Sequence, residues 1–134
     1  VSGPRRSRDG RESTRTLGRA AEDAAAAWLE RQGYRVLARN HAIRRGEVDL
    51  VCREGDTICF VEVRSRSRLD YGTPESSVGV RKARRVVAAA THWALGHGGL
   101  DQAMRFDVVA VDSSGDELRF ELFRNAFDAE GRPG

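Results

Sequence analysis

Apolar and polar positions recur along this chain with periods that predict the element order α-β-β-β-α-β-β. Leu17, Ala20, Ala21, Ala24, Ala25 and Trp28 fall at helical spacing and give one apolar stripe. Thr16 can cap the start of that helix and Gly33 can end it. Tyr34, Val36 and Ala38 then alternate, which predicts a strand reaching Asn40, followed by a basic loop over residues 41–46. Two more strands are expected over 47–54 and 57–66, joined at Gly55-Asp56, a two-residue hairpin signal. Thr73-Pro74-Glu75 resembles a helix start. Ala83, Val86, Val87, Ala90, Trp93 and Ala94 form a second apolar stripe, which Gly96, Gly98 and Gly99 end. Strands over 104–112 and 117–123 flank a Ser113-Ser114-Gly115 turn.

The 134 residues suit one domain, read here as residues 17–127. Residues 1–16 carry Arg5, Arg6, Arg8, Arg11 and Arg15 with almost no apolar residues and are expected to be a disordered tail; residues 128–134 are expected to be loose. No run approaches the roughly 18 apolar residues of a membrane helix. No apolar run follows the N-terminal charges, so neither a signal peptide nor a membrane partner is expected, and the cytoplasm is the expected location. Cys52 and Cys59, with no histidine nearby in sequence, are too few for a zinc motif and read as buried free thiols. Formal net charge is only +3 although the pI is near 9.4, a balance that permits nucleic-acid binding without demonstrating it. Lys82 is the only lysine among the 23 basic residues.

The hairpin carries the chemistry. Counting back from Gly55-Asp56 sets Asp49 opposite Glu62 and Glu47 opposite Arg64. Alternation then gives one apolar face, with Val48, Leu50 and Cys52 against Val63, Val61 and Cys59. The other face carries acids and a base amid Val51, Ile58 and Phe60. Opposed carboxylates repel, and a divalent cation between them removes the penalty; Mg²⁺ suits such oxygen ligands and keeps waters that phosphate oxygens can replace. A solvated sheet face with ordinary glutamate–arginine pairing accounts for the same geometry.

The hairpin resembles the PD-(D/E)XK nuclease signature, an aspartate on one strand and Glu-x-Lys on the next. Here it reads Gly46-Glu47-Val48-Asp49, then Phe60-Val61-Glu62-Val63-Arg64. Together with Gly18, Glu22, Gly33-Tyr34, Asn40 and Leu50, it is similar to the YraN-like family of small bacterial proteins over roughly residues 17–124. That resemblance implies an α/β restriction endonuclease-like fold, an α-β-β-β-α-β core with a mixed central sheet flanked by helices, close to Holliday junction resolvases. It implies one or two Mg²⁺ or Mn²⁺ ions held by Asp49, Glu62, the carbonyl of Val63 and Glu22, although Glu22 also reads as a solvated helix residue. Arg64 departs from the pattern's lysine. It keeps the charge but cannot act as a base. Its bland role is an ion pair with Glu47. Lys82 can supply an ammonium, touch a phosphate, or face solvent. Arg44 and Arg45 in the loop, and Arg66, Arg68, Arg81, Lys82, Arg84 and Arg85, form a candidate basic rim for a nucleic-acid backbone. Arg105 and Asp107 read as a structural pair.

Three functions compete: a metal-dependent nuclease on branched or structured DNA, a catalytically weak nucleic-acid-binding module that retains the fold, and a protein-interaction module with vestigial acids. DNA is the expected partner, and a homodimer is left open.

Overall fold

The computed structural model describes residues 10–66 and 79–134, the side chains of residues 10–17 and 66 excepted. The order is α1 (Gly10–Arg31), β1 (Arg35–Ile43), β2 (Gly46–Glu54), β3 (Thr57–Arg66), α2 (Val80–Leu95), β4 (Met104–Asp112) and β5 (Arg119–Phe127). The expected helix start at Thr73-Pro74-Glu75, Arg68 and the Arg66 side chain lie outside the described residues.

The strands form one five-stranded mixed sheet in the order β1-β2-β3-β4-β5. β3 and β4 run parallel, with α2 in the connection between them, and the other neighbours are antiparallel. The protein is therefore α/β, with a helix on each face. On one face Ala25, Ala26 and Leu29 of α1 cover Leu50, Cys52, Cys59, Val61 and Val109. On the other, Ala83, Val86, Ala90 and Trp93 of α2 cover Val51, Ile58, Phe60 and Val108. This two-sided burial is why Ile58-Cys59-Phe60-Val61 reads as a continuous apolar run.

Several expectations need correction. α1 starts at Gly10, before Thr16, so residues 10–16 are helical rather than tail. Apolar periodicity marks only the part of a helix that touches a core, and a helix can continue past it. The acid-bearing face of the hairpin is not a solvated surface, because α2 packs on it. Val48 does not share a face with Leu50; it belongs to the α2-side cluster, so the alternation slips between them. β1 runs on to Ile43, leaving only Arg44 and Arg45 as a turn. β5 runs to Phe127 instead of stopping at Phe123. Residues 128–134 turn back on the sheet: Asp128 Oδ1 accepts from the amides of Glu130 and Arg132, both at 2.9 Å, and Phe127 bridges to Pro133.

Other expectations match. Gly33 ends α1 at φ 100, a left-handed conformation that glycine adopts without a Cβ clash. β4 has the expected bounds. Cys52 and Cys59 lie opposite each other, buried and free, and burial pushes both thiols up to about 12. No described helix is long and apolar enough to cross a membrane.

Candidate functional site

The β2–β3 ladder runs from Glu54↔Thr57 to Leu50↔Val61 and then parts. Asp49 and Glu62 come next in that register, and their carboxylates take over from the ladder. The Asp49 amide donates to Glu62 Oε2 at 3.1 Å, and the Val63 amide donates to Asp49 Oδ2 at 2.9 Å. Each acid is thus held by the other strand's backbone. On the β1 side the pairs Arg39↔Leu50 and His41↔Val48 flank Asn40, which has φ 50. β2 is irregular next to both neighbours at Asp49, and this is where the alternation slips.

Glu62 is 1% exposed and Asp49 is half-buried. Burial raises the Glu62 pKa above the ordinary carboxylate value, and the Asp49 charge raises it further. Burial also raises Asp49, against the pull of the Val63 amide, Lys82 and Arg64. Lys82 Nζ of α2 lies 3.6 Å from Glu62 Oε1, with its side chain 47% exposed. Lys82 thus touches Glu62 while keeping about half of its side chain in solvent. Arg64 acts on both carboxylates electrostatically.

Glu22 approaches from α1. Burial and the Asp49 charge raise its pKa, while a hydrogen bond from Asn40 lowers it. Glu47 and Arg64 lie beyond the last paired residues of the β2–β3 ladder. Glu47 lines a cavity of about 220 Å³ with Arg81, Lys82, Arg85 and Val86. Arg45 joins Arg81, Arg84 and Arg85 around a second cavity, and Arg44 is exposed on the same turn.

Among the described residues no group of three or more His, Cys, Asp or Glu side chains gathers tightly enough to cage a metal ion. The donor set does fit Mg²⁺ or Mn²⁺. Asp49 and Glu62 each spend one carboxylate oxygen on an amide, leaving Asp49 Oδ1 and the Lys82-facing Glu62 Oε1. Mg²⁺ is commonly bound through one or two carboxylates and retained water.

Sequence reasoning assigned no role to two features and saw only part of a third. Asn40 orients Glu22, and only its place in a resemblance motif pointed to it. His41 Nε2 and His92 Nδ1 meet at 3.0 Å across 51 residues of sequence, a separation that no local spacing signals. Arg105 and Asp107 are paired as expected, at 3.0 Å, but within a larger network. Asp107 is fully buried and also accepts from the Tyr34 hydroxyl at 3.0 Å and the Asn125 amide at 2.9 Å. Glu54 bonds both Arg105 and Arg124.

A model of the uncharacterised protein family UPF0102 matches residues 21–111. A UPF0102 protein of Anaeromyxobacter dehalogenans (strain 2CP-C) is 62% identical, covering 94% of this chain and 92% of the relative. Another, from Dechloromonas aromatica (strain RCB), is 48% identical over 89% of this chain and 94% of the relative. A third, from Myxococcus xanthus (strain DK1622), is 44% identical over 86% and 91%.

Proposed function

The chain belongs to the uncharacterised protein family UPF0102, and from the site it builds we propose that it is a metal-dependent nuclease of restriction endonuclease-like fold, hydrolysing phosphodiesters in structured or branched DNA. The observation that carries the reading is the reciprocal clamp of Asp49 and Glu62, a half-buried and a fully buried carboxylate each fixed by the other's strand, with the Lys82 ammonium alongside. A purely structural role explains such a pair poorly. Placing two acids side by side in the fold costs stability that a pair of apolar residues would not.

Asp49, Glu62 and the Val63 carbonyl would hold a Mg²⁺ or Mn²⁺ ion, with Glu22 close by through Asn40. When bound, the ion supplies a Lewis acid for a phosphoryl oxygen and lowers the pKa of a water. The chain's own groups do the rest. The backbone clamps fix the carboxylates before substrate arrives. Lys82 offers an ammonium on the α2 side, beside Glu47, and Arg64 a permanent positive charge to steady the transition state. Arg64 cannot accept a proton, so any base must come from elsewhere.

Cleavage assays with Mg²⁺ or Mn²⁺ on a panel of branched DNAs test this, with Asp49→Ala as control. Metal-dependent cleavage that the variant loses supports the reading. A second reading, a nucleic-acid-binding module without turnover, is favoured by Arg64 standing in place of lysine. Tight DNA binding without cleavage under any divalent metal would establish that one instead.

A further inference from the structure

Two sets of arginines stand out among the described residues. Arg39, Arg105, Arg124 and Arg132 are ion-paired with Asp23, Glu54, Asp107, Asp128 or Glu130. Arg45, Arg81, Arg84 and Arg85 are ion-paired with no described residue, yet they line one open groove of about 490 Å³ with Val80 and Ala88. Within the groove, Arg84 makes only a long bond to the Glu130 carbonyl, at 3.4 Å. Like charges repel, so four guanidinium groups without an ion pair among the described residues, gathered around a single groove, favour an anion in it.

The fold assembles this groove deliberately. Arg81, Arg84, Arg85 and Ala88 follow helical i, i+3, i+4, i+7 spacing on α2 and share a face. Arg45 is brought to them by the β1–β2 turn, which presses against the helix. A Cβ on Gly46 would sit 1.9 Å from the Arg85 carbonyl oxygen, so only glycine permits this approach.

The groove also adjoins the acids. Arg81 and Arg85 line both it and the smaller cavity that holds Glu47 and Lys82. The two spaces therefore share a wall, with Lys82 reaching from the smaller one to Glu62.

We propose that the groove of Arg45, Arg81, Arg84 and Arg85 is a second phosphate subsite, which holds a phosphodiester neighbouring the one presented to Asp49 and Glu62. The ligand is then a polynucleotide strand read through at least two successive phosphates, and not a mononucleotide or free phosphate. Among the described residues no aromatic side chain lines the groove, so its arginines grip the backbone and read no base. The proposal rests on the reading of Asp49 and Glu62 as a phosphodiester site, but among the described residues no acid lines the groove, and its arginines hold phosphate without metal.

The test uses the full chain in EDTA, with a short labelled oligothymidylate followed by fluorescence anisotropy and inorganic phosphate as competitor. Arg45→Ser and Arg84→Ser touch only the outer groove. Each should weaken binding about tenfold, the loss expected for one charge-assisted hydrogen bond. Arg53→Ser, at an exposed position on β2, should leave affinity within about twofold. Inorganic phosphate should compete poorly. Thermal melts confirm that each variant folds. If Arg45→Ser and Arg84→Ser bind like wild type, or if inorganic phosphate displaces the strand stoichiometrically, the subsite proposal is overturned. Mn²⁺ titration of wild type against Asp49→Asn is run alongside. Absence of Mn²⁺ binding with the arginine losses intact would remove the metal-site reading and leave the groove standing.

Discussion

Asp49 and Glu62 accept amide hydrogens across the strand gap, and this sets what single substitutions there should do. In Asp49→Asn the new side-chain carbonyl oxygen can still accept from Val63, while the charge facing Glu62 is gone. Metal-free stability should hold or rise slightly, and Mn²⁺ affinity should fall at least about tenfold. Calorimetric titration and paired melts measure both; an unchanged affinity together with a lowered melting point would make the acids structural partners. Their pH dependence has a definite sign. A carboxyl whose folded pKa is raised keeps its proton in the folded chain where the unfolded chain has lost it. Its contribution is therefore most favourable at low pH and declines as pH climbs from the ordinary carboxylate value through the raised folded one. Glu62 and Asp49 both behave this way. His41 has the opposite sign. Burial and His92 lower its pKa, so it costs stability as pH falls through its unfolded value. The informative measurement is thus a difference. Melting temperatures of metal-free wild type and Glu62→Gln are compared between about pH 5 and pH 8, and the gap should favour the variant increasingly as pH rises. A constant gap would mean that burial does not hold Glu62 in its protonated form.

At the scale of elements, the hairpin was legible because a two-residue turn fixes register, and from that register Cys52↔Cys59 and the neighbourhood of Asp49 and Glu62 followed. Less legible were the irregularities that shape the site. The slip that carries Val48 to the α2 side occurs beside Asn40, and a second, between Phe106 and Val108, faces Asn125 at φ 54. Both depend on side chains replacing ladder bonds across strands, and single-strand alternation contains no such information. Asp107 shows the cost of that device. Its fully buried carboxylate serves Arg105, Tyr34 and the Asn125 amide at the bulge. Asp107→Ala should destabilise the protein by roughly 3 kcal/mol, since it leaves a half-buried guanidinium and an amide without their acceptor. Chemical denaturation tests this, and a loss below about 1 kcal/mol would mean that water replaces the carboxylate readily. The helix start of α2 illustrates another limit: apolar spacing finds the stripe but not which arginines beside it converge. Gly46 supplies that information only in three dimensions. Gly46→Ala should cost about 2 kcal/mol or more, because the contact is backbone against backbone and neither side can rotate away.

Taken as a whole molecule, a net charge of +3 is a poor guide to affinity for a polyanion. What matters is where compensation fails. Acidic partners consume the charge of Arg39, Arg105, Arg124 and Arg132, while four arginines with no ion pair among the described residues converge beside α2 and the β1–β2 turn, next to the carboxylates. In the proposed reading the acid pair would repel phosphate until a cation sits there, and the positive groove beside it would attract it. This arrangement predicts how single-stranded DNA binding responds to salt. Each arginine–phosphate contact releases condensed counterion and contributes about −0.7 to the slope of log K against log salt on a single strand, so four contacts give roughly −3. Arg84→Ser should reduce that slope by about 0.7 and lower affinity equally for all sequences, since the contact is to the backbone. Neutralising exposed Arg119, on β5, should leave the slope unchanged even though it removes the same formal charge. Divalent metal should act differently from monovalent salt. Below the concentration at which it screens generally, Mn²⁺ should tighten binding to wild type by occupying the carboxylate pair, and should not do so for Asp49→Asn. Titrations across a salt series, with and without Mn²⁺, separate these effects. A slope that falls equally with Arg84→Ser and Arg119→Ser would mean that DNA responds to overall charge, and that the groove beside the acids is not where it binds.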